Sequence, residues 1–372
     1  MACPSPRRML SNGRKNSPMV CEALSGMSPS DSLFSTSFAM NRSCILGTGS
    51  CLPDRVVTNR DVMQMMETTE EFIIERTGVR CRRHAPPETA TSDLAAEACR
   101  RAVSDAGLSL DQIDLIILNT ITPDHADPGC AFFLQAKLGL PGVPVFDIKQ
   151  QCAGLIYGLA LADHFVRAGT YRHVLVACAE KLSGRIDGSY DGRNIAILLG
   201  DGAGAALVGP SPDGQAGIVS TILHADGRFA KALYTAAPGS GLGRTEHLIH
   251  DDIDQGRIHF RMDGKAVFQN GVEKMSDAVF ELLRANGLQL EQIDLLVPHQ
   301  ANLRMLEAIV QRVGIDPQRV FVNVEQYGNI ASASLPIALD EARRTGRAAP
   351  GRKVMLVAFG SGFVWASALL QT

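Results

Sequence analysis

The sequence has no apolar run that suggests a membrane span, no extended basic block and no Cys-x-x-Cys pair. The missing basic block, with a formal net charge of -3, argues against nucleic acid as the main partner. Any phosphate-bearing ligand must then be met by a few local arginines. The nine cysteines are odd in number, scattered, and not spaced with histidines as metal ligands. They read as those of a reduced, cytosolic protein without a zinc site. What is present is ordinary: 372 residues, 45% apolar and 20% charged, enough for a large core in one or two domains.

Residues 1–42 are rich in Ser, Met, Pro and Arg, lack a continuous apolar stretch and keep no helical or strand period. This predicts a disordered extension rather than a secretory signal or a membrane anchor. Two alternatives stay open: a natural start at Met40, and a transit peptide, which Arg7, Arg8 and Arg14 support weakly.

From Cys44 onward, short apolar runs alternate with longer helical ones, the signature of an α/β protein with central sheets. Asp61-Val-Met-Gln-Met-Met predicts a helix capped by Asn59 or Asp61. Thr91 to Val103 predicts an amphipathic helix capped by Thr91 or Ser92. One passage then recurs. Ala106-Gly-Leu-Ser-Leu-Asp-Gln-Ile-Asp-Leu-Ile-Ile matches Asn286-Gly-Leu-Gln-Leu-Glu-Gln-Ile-Asp-Leu-Leu-Val at a constant offset (287 − 107 = 180). Gly169-Thr-Tyr-Arg-His-Val-Leu-Val-Ala and Gly351-Arg-Lys-Val-Met-Leu-Val-Ala form a second pair in the same order. Two ordered pairs argue for a duplicated core, with halves over 43–215 and 216–372 and a cleft at their pseudo-twofold seam.

Val145-Phe-Asp-Ile, bounded by Pro144, predicts a buried strand, and a helix follows from Leu155 through Phe165, so Cys152 falls on the turn between them. A helix N-terminus favours a thiolate over a thiol, which suits a nucleophile. Taken alone, Cys152 is equally well read as a small buried hydrophobe. His299 follows an apolar strand that ends at Pro298, at the strand end where α/β sites gather. By itself it also fits a satisfied structural histidine, and Asn329, after Gly328, fits a turn residue. The glycines of Ala358-Phe-Gly-Ser-Gly-Phe363 expose backbone N–H groups that could hold an anion.

Together, Cys152-Ala-Gly, Gly200-Asp-Gly-Ala-Gly204, Pro298-His-Gln-Ala-Asn-Leu-Arg304 and Tyr327-Gly-Asn-Ile-Ala-Ser-Ala-Ser334 resemble the thiolase superfamily, most closely its β-ketoacyl-acyl-carrier-protein synthase III group. The resemblance covers the chain from about Cys44 to its end. It implies a duplicated αβαβα fold, a homodimer, and a Cys152, His299 and Asn329 active site. It further implies an oxyanion hole from the N–H groups of Cys152 and Gly362, and no permanently bound cofactor. An acyl group would arrive on coenzyme A, load onto Cys152, and condense decarboxylatively with a malonyl group on acyl carrier protein or coenzyme A. Alternatives are an enzyme that joins two acyl chains, one that passes the acyl group to a non-malonyl acceptor, and a non-catalytic thiolase-like binding protein. By position, Phe72, Arg76, Arg193, Asn302 and Arg304 would meet coenzyme A or the carrier protein.

Four positions depart from the group's pattern. Phe72 stands in place of a frequent tryptophan, Gln269 in place of a frequent lysine, and Gln150-Gln151 where small residues often precede the nucleophile. Asp127, in Thr122-Pro-Asp-His-Ala-Asp-Pro128, takes the place of an apolar residue that members insert into the partner's acyl pocket. It reads either as a solvated loop carboxylate or as a group that selects a polar starter or acts as a base.

Overall fold

The computed structural model describes residues 42–190, 192–212 and 214–372. The extension expected over 1–42, with Cys3, Cys21 and the alternative start at Met40, lies outside the described residues, save Arg42.

Among the described residues, nine of the thirteen strands form two large sheets, and the other four form two short two-stranded ones. The first holds β1 (Ser43–Cys51), β2 (Leu115–Asn119), β3 (Val145–Ile148), β4 (Val174–Lys181) and β5 (Asp201–Pro210), in the order β1-β5-β4-β2-β3. The second holds β6 (Gly217–Ala225), β7 (Leu295–Pro298), β8 (Lys353–Gly360) and β9 (Val364–Gln371), in the order β7-β8-β9-β6. Each large sheet is mixed. The parallel pair β2 and β4 matches Leu115 with Val174, and the parallel pair β7 and β8 matches Leu295 with Val354. Both partners in the second pair lie 180 positions after those of the first (295 − 115 = 180; 354 − 174 = 180). Pairing in each half therefore follows the sequence repeat.

Helices Gly154–Arg167 and Ser334–Arg344 lie between the sheets, and their side chains share one core with strands of both. Such helices need apolar surface on nearly all sides, and Gly154, Leu155, Ile156, Gly158, Leu159, Ala160, Ala162 and Val166 are all buried. Their polar exceptions are satisfied. Asp163 accepts from Ser43 Oγ at 2.7 Å, and Asp340 accepts from Thr48 Oγ1 at 2.8 Å and Ser50 Oγ at 2.6 Å. Thr91–Asp105 and Cys130–Leu138 pack on the first sheet, and Gly264–Ala285 and Leu303–Val313 on the second, giving five layers, αβαβα.

Three local expectations are corrected. Residues Val145–Ile148 form an edge strand whose Phe146 and Asp147 are exposed, because β2 is its one neighbour and an apolar run does not reveal what covers it. The cap of the helix Asn59–Met65 is Thr58, which exchanges hydrogen bonds with Asp61 in a capping box. The helix Thr91–Asp105 is preceded by Ala90, whose N–H is met by the Asp93 carboxylate at 2.9 Å instead of a hydroxyl cap.

Candidate active site

Strands β2, β4, β7 and β8 end on Asn119, Lys181, Pro298 and Gly360, and the expected chemistry gathers beyond these ends. The turn that carries the candidate nucleophile is the short 3-10 segment Gln151–Ala153, which runs directly into the helix Gly154–Arg167. Gln151 sits at φ 49°, a conformation that costs on the order of 1–3 kcal/mol and persists only where neighbours impose it. Here the neighbours are identifiable. Asn119 accepts from Gln150 N at 2.7 Å and donates to Gln151 O at 3.3 Å, while Ser361 Oγ donates to Gln151 Oε1 at 2.8 Å. Gly360 completes the support by lacking a side chain: a Cβ there would stand 2.8 Å from the backbone nitrogen of Cys152.

Cys152 packs among Ile121, Leu182, Leu199 and Ala331, so the turn Ala331–Ala333 of the second half meets the nucleophile turn of the first. Asn329 stands two residues before Ala331. Its backbone bridges the halves, donating to Leu198 O at 2.7 Å and accepting from Gly200 N at 3.1 Å. Its side-chain oxygen accepts from Ala331 N at 2.8 Å, which fixes the amide and leaves its NH2 without a protein partner among the described residues. His299 follows β7 and donates its backbone N–H to Val357 O of β8 at 2.8 Å, three residues before Gly360. It is 1% exposed. Burial pulls its pKa down to about 4, so the ring is neutral at pH 7, and Nδ1 has no protein partner among the described residues. Gln300 locks the loop beyond it, donating to Pro298 O and Phe321 O and accepting from Asn323 N and Val324 N.

The thiol departs from expectation. Burial, reinforced by the Glu180 charge, pushes the pKa of Cys152 up to about 12, with its own backbone N–H acting weakly the other way. Desolvation of the thiolate is the leading cause of that rise. Glu180, near the end of β4, is fully buried and was not singled out in the sequence. It accepts from Ser332 Oγ at 2.5 Å, Thr122 Oγ1 at 2.9 Å, Ile121 N at 3.1 Å and Thr120 Oγ1 at 3.3 Å. Every donor is neutral, and burial pushes its pKa up to about 7. Asn119 was missed likewise. The repeat could have found it, because Asn119 lies 180 positions before His299 (299 − 119 = 180).

Beside the turn opens a cavity of about 840 Å³ whose walls include Ile121, Gln151, Phe260, Ser361 and Gly362. Gly362 has φ 126°, which suits glycine. Asp127 is exposed on the loop between β2 and the helix Cys130–Leu138, next to cavity-lining Ala126. Phe72, Arg76 and Arg193 come together: the Arg193 guanidinium lies 4.8 Å from the Phe72 ring centre and 3.9 Å from that of Tyr190, and Arg76 lies 5.6 Å from Phe72. Asn302 and Arg304 join the same surface but are already engaged. Asn302 Nδ2 donates to Arg76 O at 3.0 Å, and Arg304 donates to Glu75 O, Ile74 O and the Glu307 carboxylate. Among the described residues there is no cluster of three His, Cys, Asp or Glu that could hold a metal ion, and no helix long and apolar enough to cross a membrane.

Two similar halves in five layers, with a cysteine turn from one and a histidine and an asparagine from the other, define a thiolase-fold condensing enzyme. Residues 146–227 match the family described as 3-oxoacyl-[acyl-carrier-protein] synthase III, and residues 283–372 match its C-terminal part. The β-ketoacyl-[acyl-carrier-protein] synthase III of Caldanaerobacter subterraneus subsp. tengcongensis is 45% identical over 327 residues, 88% of this chain and 97% of that protein. The crystal structure of 3-oxoacyl-[acyl-carrier-protein] synthase III from Aquifex aeolicus VF5 superposes with a TM-score of 0.80 at 37% identity, covering 89% of this chain and all of that one. The priming β-ketosynthase of the R1128 polyketide biosynthetic pathway gives a TM-score of 0.80 at 34% identity, covering 89% and 96%. The chain belongs to the 3-oxoacyl-[acyl-carrier-protein] synthase III family and is an acyltransferase of the condensing type.

Proposed function

We propose that this chain takes an acyl group from coenzyme A onto Cys152 and joins it to the enolate left when a malonyl group on acyl carrier protein, or on coenzyme A, loses CO2. The Cys152 sulfur attacks the thioester carbonyl, the N–H groups of Cys152 and Gly362 stabilise the tetrahedral oxyanion, and coenzyme A leaves as its thiol. Loss of CO2 then delivers two electrons to the malonyl α-carbon without a strong base. The enolate oxygen needs neutral donors. His299, kept neutral by burial, and the unspent Asn329 amide would be those donors. The carbanion attacks the acyl-Cys152 carbonyl, the sulfur leaves, and a β-ketoacyl thioester is released for fatty-acid initiation or a secondary metabolite.

The observation that carries this reading is an imidazole kept neutral by burial together with an amide whose oxygen is already committed, so that one ring N–H of His299 and the Asn329 NH2 would be available to donate to an anion. The relatives, named as synthases of this type, favour condensation over joining two acyl chains or passing the acyl group to another acceptor. Phe72, Arg76 and Arg193 would receive coenzyme A, with Asn302 and Arg304 shaping that surface. The working unit would be a homodimer of chains whose halves span 43–215 and 216–372. Cys51, Cys81, Cys99, Cys130, Cys152 and Cys178 are free thiols, as a reducing cytoplasm would keep them. Intact-mass detection of an acyl adduct at Cys152, followed by CO2 release and a β-ketoacyl product on adding malonyl-carrier protein, tests the scheme. An adduct with no condensation product would leave only acyl transfer.

A further inference from the structure

The cavity beside the nucleophile turn carries a cation without an anion. Arg185, at the end of the short turn Leu182–Arg185, spreads its guanidinium 4.8 Å from the ring centre of Phe260 and donates from one terminal nitrogen to Ile121 O at 3.1 Å. No carboxylate lies within ion-pair distance of it among the described residues, and partial burial depresses its pKa. Glu180, whose charge it feels, is enclosed by Ser332, Thr120, Thr122 and Ile121. The other charged groups on the wall are spent or solvated. Lys181 Nζ donates to the carbonyls of Pro86, Pro87 and Thr89, Asp124 accepts from Ser92, and Glu88 and Lys149 are exposed. A half-desolvated guanidinium with unspent donors favours a planar oxyanion partner.

The two residues that Arg185 touches, Ile121 and Phe260, belong to the apolar cluster that receives the Cys152 side chain. Arg185 and Cys152 thus border the same small apolar cluster, Arg185 through the Ile121 carbonyl and the Phe260 ring. Resting on the proposed loading of Cys152, we infer that Arg185 selects a starter acyl group that ends in a carboxylate, an ω-carboxyacyl thioester, by pairing with that carboxylate at the far end of the chain.

The test is loading of Cys152 from succinyl-CoA, from its uncharged terminal amide succinamoyl-CoA, and from butyryl-CoA, read as kcat/KM by intact mass. The wild-type chain should prefer succinyl-CoA over its amide by about tenfold to a hundredfold, the range expected for one hydrogen bond to a charged group. Arg185→Leu should abolish that preference while retaining butyryl loading, and Arg185→Lys should keep part of it. Preference of the wild-type chain for butyryl-CoA with succinyl-CoA rejected overturns the inference, and so does an unchanged ratio in Arg185→Leu. The wild-type comparison stands even where the variant fails to fold. Failure to load any of the three thioesters would instead remove the proposed acylation of Cys152, a separate outcome.

Discussion

Gln151 and Ala331 are held at φ 49° and 42°, and they stand 180 positions apart (331 − 151 = 180). Each opens a 3-10 turn that runs into one of the two helices between the sheets. The next residue in each turn shows how the halves diverged. Cys152 faces Gly360, while Ser332, its counterpart, donates to Glu180, and Glu180 and Gly360 are themselves 180 positions apart (360 − 180 = 180). Gly360, with no side chain, lets its strand end close directly on the turn that carries Cys152. At the matching position of the first half, Glu180 puts a carboxyl that anchors the second half's turn.

That difference makes Gly360→Ala informative. Its Cβ would stand 2.8 Å from Cys152 N and 3.0 Å from Gln151 Cβ, so the nucleophile turn must move. The change should cost about 1–3 kcal/mol of stability, as overpacking does. Acyl loading of Cys152 should fall at least as far as stability does. Urea unfolding with acyl-adduct kinetics on the same variant checks this, and wild-type loading would show that the close approach is unimportant.

His299→Ala and Asn329→Ala should each lower condensation on the order of 100- to 1000-fold, the usual cost of one oxyanion donor, while the acyl adduct at Cys152 still forms. Cys152→Ala should form no adduct at all. Following adduct mass and CO2 release separately distinguishes the steps. Equal loss of loading and condensation in the His299 variant would remove its assignment to the second step.

The repeat, the layered α/β architecture, the turn position of Cys152 and the strand-end position of His299 were legible because periodicity and offset report backbone architecture directly. The state of the sulfur was not. Sequence locates a helix N-terminus but carries no measure of how far the sulfur is desolvated or that Glu180, 28 positions later (180 − 152 = 28), raises its pKa. Asn119 and Glu180 escaped notice because each stands at or beside the end of an apolar strand and resembles an ordinary strand end. Only the sheet pairing brings them beneath the turns they hold.

Asp127→Ala tests the loop departure. An exposed carboxylate one residue from the cavity wall should disfavour apolar starters. Its removal is therefore expected to shift loading toward longer alkyl-CoAs. An unchanged profile across acyl-CoA chain lengths would return Asp127 to the role of a solvated loop carboxylate.

Glu180 and His299 oppose one another in the pH dependence of stability. The folded His299 pKa lies near 4, below its ordinary 6.5, so between these values the unfolded chain holds a proton that the native chain lacks. Its contribution is fully present above pH 6.5 and is lost as the pH falls toward 4. Glu180 lies near 7 in the native chain, above its ordinary 4.5, so its contribution is fully present below pH 4.5 and is lost as the pH rises through 7. Each slope is about 1.4 kcal/mol per pH unit and the signs are opposite, so from pH 4.5 to 6.5 the two cancel. Relative to the wild-type chain, His299→Gln should lose stability progressively as pH rises through this window, and Glu180→Gln as pH falls. Urea midpoints of the three chains at several pH values measure the differences, from which all other groups drop out. Two variants running parallel to the wild-type chain would mean that neither group carries the protonation its burial dictates.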